Sequence, residues 1–137
     1  MASPLTSSLE DYLEAAYALC GRDGSARACE LSRRLKVSRP SVSSAVKALA
    51  ARGLLTYERY GLIRLTPAGR RAGAEVAGRH GALLEFFTDI LGLPPAEAER
   101  DACRAEHAVG RGTLRAIARL TARLKAAGRA PLRGRRP

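Results

Sequence analysis

The chain carries two histidines, His80 and His107, and the second stands in a dense group of donor side chains, Cys103-Arg104-Ala105-Glu106-His107. Residues three and four apart on a helix project from one face, so the Cys103 thiolate, Glu106 carboxylate and His107 imidazole can converge on one divalent cation. Glu99 lies one turn earlier on the same stripe. Asp11 and Glu14 repeat the three-residue spacing near the N-terminus. Taken singly, each of these groups reads as a solvated edge or a small core residue. Sulfur, nitrogen and oxygen donors gathered at these spacings read as a transition-metal site.

The elements that must position these donors are mostly helical. Ser7-x-x-Glu10 is a capping box before an apolar stripe of Leu9, Leu13, Ala16, Tyr17 and Cys20, and Gly21 ends that helix. Asp11 and Glu14 fall about 60° apart on the opposite face. A second helix, near Cys29 to Lys36, turns through Val37-Ser38-Arg39-Pro40 into a third that runs to about Arg52. Ser38 can cap the third helix, and Pro40 suits its first turn because a missing N–H does no harm there. Val42, Val46 and Leu49 form its inner face, which leaves Arg39, Ser41, Ser43, Ser44 and Lys47 for the other faces. Short hydroxyl and basic side chains on a helix that begins at a tight turn suit the major groove of DNA. Leu54 to Tyr60 and Leu62 to Thr66 are β-prone runs around Gly61, a hairpin or wing bearing Arg59 and Arg64.

Thr66-Pro67 starts a long helix, expected to reach about Leu91, in which Gly69, Gly73, Gly78 and Gly81 each cost up to about 1 kcal/mol relative to Ala. Its later part, with Leu83, Leu84, Phe86, Phe87, Ile90 and Leu91, is a candidate dimer interface. Past Pro94-Pro95, an acidic helix from about Ala96 to Val109 contains the Cys-Glu-His group. A last amphipathic helix to about Gly128 has Leu114, Ile117, Leu120, Thr121 and Leu124 as its inner face. The expected class is mainly α: an N-terminal winged helix-turn-helix over residues 1–66, a C-terminal helical metal-binding and dimerisation domain over 67–128, and a basic tail, 129–137, expected to be disordered.

Composition narrows the partners. Lys and Arg total 24 against 13 acidic residues, a net charge of +11, which suits a polyanion such as DNA. Because 21 of the 24 are Arg in a chain rich in Ala and Gly, their placement carries more information than their number. Cysteines at 20, 29 and 103 form no Cys-x-x-Cys pair and no even disulfide framework, which points to a reducing, cytoplasmic setting. No apolar run approaches the roughly 20 residues of a membrane span, and no export segment is expected at the N-terminus. With 4 Tyr and 2 Phe, the chain lacks the stacking surface of a single-strand RNA binder. An enzyme is not expected: the donor cluster has no evident spare base or phosphate-binding loop for hydrolysis.

These residues together resemble the diphtheria toxin repressor family of iron- and manganese-dependent transcriptional regulators. The likeness runs from Ser8-Leu9-Glu10-Asp11-Tyr12-Leu13-Glu14-Ala15 through Val37-Ser38-Arg39-Pro40-Ser41-Val42, Tyr57-Glu58-Arg59-Tyr60 and Leu65-Thr66-Pro67-Ala68-Gly69-Arg70. It continues to Arg79-His80 and Ala102-Cys103-Arg104-Ala105-Glu106-His107. The resemblance implies a metal bound between the first helix and the second domain, held by Asp11, Glu14, His80, Cys103, Glu106 and His107. It implies Mn(II) or Fe(II) as the activating ion, with Co(II) or Zn(II) able to substitute in vitro. Asp11 follows the manganese branch and Cys103 the iron branch, so the chain mixes the two patterns. Leu84 stands where the family has an acidic residue four after the histidine, with Glu85 beside it, and Glu99 stands where iron regulators have a second histidine. The usual capping Ser of the second helix is Cys29, and the SH3-like third domain of the iron branch is not expected.

The implied activity is that of a homodimeric, metal-activated repressor of metal-homeostasis genes, bound to double-stranded operator DNA. Ser38, Arg39, Pro40, Ser41 and Ser44 are the expected base-edge or groove contacts, and Lys47 and Arg59 the phosphate contacts. The rival reading is a winged-helix regulator that responds to thiol oxidation, through Cys103 or Cys20, or to a small organic ligand.

Overall fold

The computed structural model describes residues 5–21 and 24–128; the basic tail expected at 129–137 lies outside them. The chain divides into two compact units, Met1–Val76 and Ala77–Pro137.

In the first unit, helix α1 spans Ser7–Cys20. Its cap is Thr6 rather than Ser7: Thr6 has extended backbone and its Oγ1 accepts from Leu9 N–H at 3.2 Å. Ser7 is thereby the first helical residue. Gly21, at φ 60°, ends the helix as expected. A strand the sequence did not reveal, β1 (Ala26–Arg27), precedes α2 (Ala28–Leu35). Cys29 is therefore inside α2 and caps nothing; the Glu30 carboxylate instead accepts from Arg27 N–H at 3.2 Å. The turn after α2 places Lys36 at φ 55°, and Ser32 closes it by donating from its hydroxyl to Val37 C=O at 2.6 Å.

Helix α3 (Arg39–Ala51) is capped by Ser38, which accepts from Ser41 N–H, and buries Val42, Ala45, Val46 and Leu49. Strands β2 (Leu55–Tyr57) and β3 (Leu62–Leu65) form the wing, joined by a tight turn over Arg59–Gly61. The sheet order is β1-β3-β2, all antiparallel, with Leu55 opposite Leu65 and Ala26 opposite Ile63. Leu13, Leu31, Leu49 and Ile63 are fully buried in one core with Val42 and Val46. Each such side chain contributes about 1.5–3 kcal/mol relative to exposure.

Helix α4 (Pro67–Glu85) starts at Thr66, whose Oγ1 accepts from Gly69 N–H at 3.0 Å and donates to Gly53 C=O at 2.6 Å. Gly69 is there because nothing larger fits: a Cβ would lie 1.7 Å from the Leu54 carbonyl oxygen. One turn on, a Cβ at Gly73 would lie 2.8 Å from the Tyr17 Cβ, so α4 meets α1 through glycine.

In the second unit, α4 does not run unchanged to Leu91. From Phe86 to Ile90 it widens into a π-helical turn, with Leu91 N–H bonded to Phe86 C=O at 3.0 Å. Thr88 Oγ1 donates back to Leu84 C=O at 2.8 Å, a bond that competes with the backbone ladder and loosens helices locally. Helix α5 is Pro95–Ala105, shorter than the expected span to Val109, and α6 is Arg111–Ala126. Leu83, Ala102 and Leu114 form the small core, flanked by Phe87, Val109 and Ile117. Thr121 is buried, but Leu120 does not belong to the inner face: it is 44% exposed, and Leu91 is 41% exposed. Lys125 of α6 is clasped by Glu85 at 2.8 Å and Asp89 at 2.9 Å.

Candidate metal centre and nucleic-acid face

The second unit brings His80, Glu99, Cys103, Glu106 and His107 together. His80 comes from α4, Glu99 and Cys103 from successive turns of α5, and Glu106 and His107 from the turn that follows. The early end of α5 has a consequence for the cluster: Glu106 caps the helix with its N–H still bonded to Ala102 C=O. Its side chain is 1% exposed, which is rare for a carboxylate that lacks partners of opposite charge. Both oxygens are engaged. Oε2 lies 2.6 Å from His80 Nδ1, and Oε1 lies 3.4 Å from His107 Nε2.

The other His80 nitrogen, Nε2, lies 3.0 Å from Glu99 Oε1. Cys103 Sγ is 3.8 Å from both His80 Nδ1 and Glu99 Oε1. His80, Glu99 and Cys103 each offer a donor atom within 4.8 Å of the others. An imidazole with a carboxylate on each nitrogen must carry both protons to satisfy them, so the cluster holds positive charge where its anions converge. A divalent cation meets the same requirement more fully, and the oxygen, nitrogen and sulfur donors present fit a first-row transition metal. Burial pulls the His80 pKa down, but hydrogen bonds and charges from Glu99 and Glu106 outweigh it, and the net shift is upward.

Glu99, which stands outside the expected ligand set, joins this cluster. Its spacing four before Cys103 was visible in the sequence, but its partner His80 lies 19 residues away on another helix. Glu85, the alternative acidic neighbour, is engaged by Lys125 instead. In the first unit, Asp11 is exposed and Glu14 half-buried on α1, while Tyr12, Leu13, Ala15 and Ala16 are buried.

The candidate nucleic-acid face lies in the first unit. Arg39, Pro40, Ser41, Ser44 and Lys47 are all exposed along α3, as is Arg59 at the wing tip. Ser38 is exposed too, but its oxygen serves the cap and lies 2.9 Å from Ser41 Oγ. Three exposed hydroxyls, of Ser38, Ser41 and Ser44, and three basic side chains, of Arg39, Lys47 and Arg59, thus lie along this helix and the adjoining wing.

Residues 4–62 match the family model described as iron dependent repressor, N-terminal DNA binding domain. Residues 66–129 match that of the iron dependent repressor metal binding and dimerisation domain. The HTH-type transcriptional regulator MntR of Listeria monocytogenes is 38% identical over 102 residues, covering 74% of this chain and 71% of its own length. This chain belongs to the iron-dependent repressor family. The MntR of Lysinibacillus sphaericus is 34% identical over 115 residues, 84% of this chain and 82% of the relative. Among solved structures, a manganese-dependent transcriptional repressor in complex with manganese is 28% identical with a TM-score of 0.74. The match covers 83% of this chain and 52% of that one, so the chain spans about half the length of this structure. IdeR of T. acidophilum, 23% identical with a TM-score of 0.69 over 93% of this chain and 56% of its own, shares the fold. Membership accounts for both parts of the chain, a DNA-binding domain followed by a metal-binding and dimerisation domain.

Proposed function

We propose that this family member is a homodimeric repressor of metal-homeostasis genes that binds double-stranded operator DNA when loaded with Mn(II), with Fe(II) as the competing physiological ion. The observation that carries the reading is Glu106: a fully buried carboxylate shared by two imidazoles, with Glu99 and the Cys103 thiol around the first of them. His80, Cys103, Glu106 and His107 are the proposed ligands from the second unit, joined by Glu99. Asp11 and Glu14 are the proposed ligands from α1. Oxygen-rich donor sets suit Mn(II), and the single thiolate shifts preference toward Fe(II), Co(II) and Zn(II). A bound dication supplies the charge that neutralises these carboxylates. The residues' own part is to give up protons and hold the ion, and the coupling to DNA is reciprocal: if metal tightens DNA binding, DNA tightens metal binding by the same factor. In the dimer, the two α3 helices enter successive major grooves about 34 Å apart.

The thiol-switch alternative gains nothing from Cys20. Its Sγ is buried against Ile63 C=O at 3.7 Å, and burial pushes the thiol pKa up, away from the reactive thiolate.

The deciding experiment measures duplex binding in chelator and then with Mn(II), anaerobic Fe(II), Co(II) and Zn(II) at fixed salt. Binding that appears only with metal supports the proposal; equal binding throughout overturns it. Acidity provides a second test. Because the His80 pKa is raised, its pairing stabilises the metal-free protein fully below the unfolded value of about 6.5 and is lost as pH rises through the folded value. Metal needs the deprotonated ring, so Mn(II) affinity should climb across that same upper window. A Mn(II) affinity that does not rise with pH above about 6.5 would contradict the assignment of His80. On the DNA side, Lys47→Gln should weaken binding to all sequences alike and flatten the salt dependence by about 0.9 in log–log slope. A changed sequence preference at constant slope would reassign Lys47 to a base edge.

A further inference from the structure

A pocket of about 610 Å³ opens within the first unit where the end of α1 meets the start of α4, lined by Tyr17, Ala18, Gly21, Arg70, Arg71 and Ala74. The space exists because the facing positions are small, Ala18 and Gly21 on the α1 side and Ala74 on the α4 side. No acidic side chain is among its described lining residues, and none of them is a proposed metal ligand or DNA contact.

We propose that this pocket binds a small carboxylate with a flat apolar body, the carboxylate gripped by the Arg70 and Arg71 guanidinium groups and the body resting on Tyr17, Ala18 and Ala74. The inference stands apart from the repressor reading and needs neither metal nor DNA. Arg70 supplies the first argument. It is half-buried, and its Nη1 donates to the Gly21 carbonyl at 3.0 Å. That bond fixes the guanidinium, covers the carbonyl at the end of α1 and leaves further N–H donors for a ligand. A side chain already held in place loses little freedom on gripping an anion. Arg71 beside it is exposed, with no carboxylate partner among the described residues.

The position of the two cations is the second argument. They lie close to the start of α4, a helix with no acidic residue in its first turn. Cations at a helix N-terminus oppose the macrodipole, whereas an anion there is stabilised by it. A carboxylate across the two guanidinium groups restores the favourable sign, and the forked geometry of arginine suits both of its oxygens. Tyr17 is the third argument. Its ring lies against the α4 backbone, where a Cβ at Gly73 would be 3.0 Å from its Cγ and Cδ2. The ring is therefore fixed and, with the methyl groups of Ala18 and Ala74, offers a rigid apolar wall. Apolar walls with a few placed polar groups are the usual make-up of a small-molecule site.

The test titrates the full, metal-free chain calorimetrically with naphthoate and with naphthamide, its neutral counterpart, at fixed salt in a buffer without carboxylate or phosphate. Naphthoate is expected to bind saturably with a dissociation constant of about 1 mM or tighter, and the amide about tenfold more weakly. Bound naphthoate should also raise the melting temperature. Arg71→Gln is expected to weaken binding several-fold. Ala74→Glu puts a carboxylate one turn after Arg70 at an exposed helical position and should abolish binding, while Ala74→Gln, alike in size but neutral, should lose less. Both positions are exposed, so the variants should keep the parent's melting temperature without ligand. No saturable binding of naphthoate up to about 10 mM overturns the proposal. Equal binding of the amide also overturns it, since that would leave an apolar dimple. Parent-like binding in both Arg71→Gln and Ala74→Glu does so as well, by placing the ligand elsewhere on a chain of net charge +11. Each of these outcomes leaves the repressor reading to its own metal-dependent test.

Discussion

Glu106→Ala is expected to lower Mn(II) affinity by more than about 100-fold and to abolish metal-dependent DNA binding, because outer-shell partners alone are worth about 10–100-fold. Glu106 reaches both imidazoles: one of its oxygens is 2.6 Å from His80 and the other 3.4 Å from His107. Removing it deletes a donor and releases two more from their orientation at once. Glu106→Gln separates these roles, because the amide retains the shape but not the charge. If the charge is what counts, Gln should behave nearly as badly as Ala in a calorimetric Mn(II) titration. The first unit's core contains no part of this cluster, so the unfolding of that unit in chelator should be unaffected. A loss of affinity below about tenfold in both variants would remove Glu106 from the ligand set.

Gly69→Ala is expected to cost about 3 kcal/mol or more of the first unit's stability, the upper end for overpacking. The added methyl would stand 1.7 Å from the Leu54 carbonyl oxygen, which is backbone and already accepts from Thr66 N–H at 3.1 Å. Neither partner can swing aside as a side-chain tip would. Gly73→Ala should cost less, since the neighbour at 2.8 Å is the Tyr17 side chain. Thermal unfolding of the metal-free protein would rank the two, and an Ala at position 69 as stable as the parent would mean that the start of α4 can move off Leu54.

What could be read in the sequence was chemistry local to a few residues. The Ser38 cap, Pro40 in the first turn of α3 and Gly21 at the end of α1 depend on neighbours within one turn, and the structure has each of them. Thr6 and Ser7 carry equivalent hydroxyls, and only the extended backbone of Thr6 decides between them. Strand β1 has two residues, too few to show alternation, and exists by pairing with β3 37 positions later, at Ile63 opposite Ala26. The candidate site divides along the same line. Cys103, Glu106 and His107 announced themselves by spacing. Glu99 rather than Glu85 is the companion of His80, while Lys125 reaches across from α6 to hold Glu85, and neither pairing shows in local spacing. Leu120 has the right period for an inner face, but the small core is filled by Leu114, Leu83 and Ala102 without it.

His80 stands between Gly78 and Gly81, both exposed and with open space where a Cβ would be. Glycine lowers the cost of opening a helical turn by about 1 kcal/mol relative to alanine. The turn that presents the imidazole is therefore easily frayed, and its amides should exchange with solvent well before those of the Gly69 and Gly73 turns, which are held against backbone and Tyr17. Any fraying of that turn must be reversed for His80 to hold an ion as proposed, and that reversal would subtract from affinity. At about 1 kcal/mol for each glycine and about 1.4 kcal/mol per tenfold, two alanines in their place would lower the threshold metal concentration by up to roughly 30-fold. If His80 holds the ion as proposed, the glycines beside it would act as a set-point adjustment, keeping the site empty until the ion is abundant.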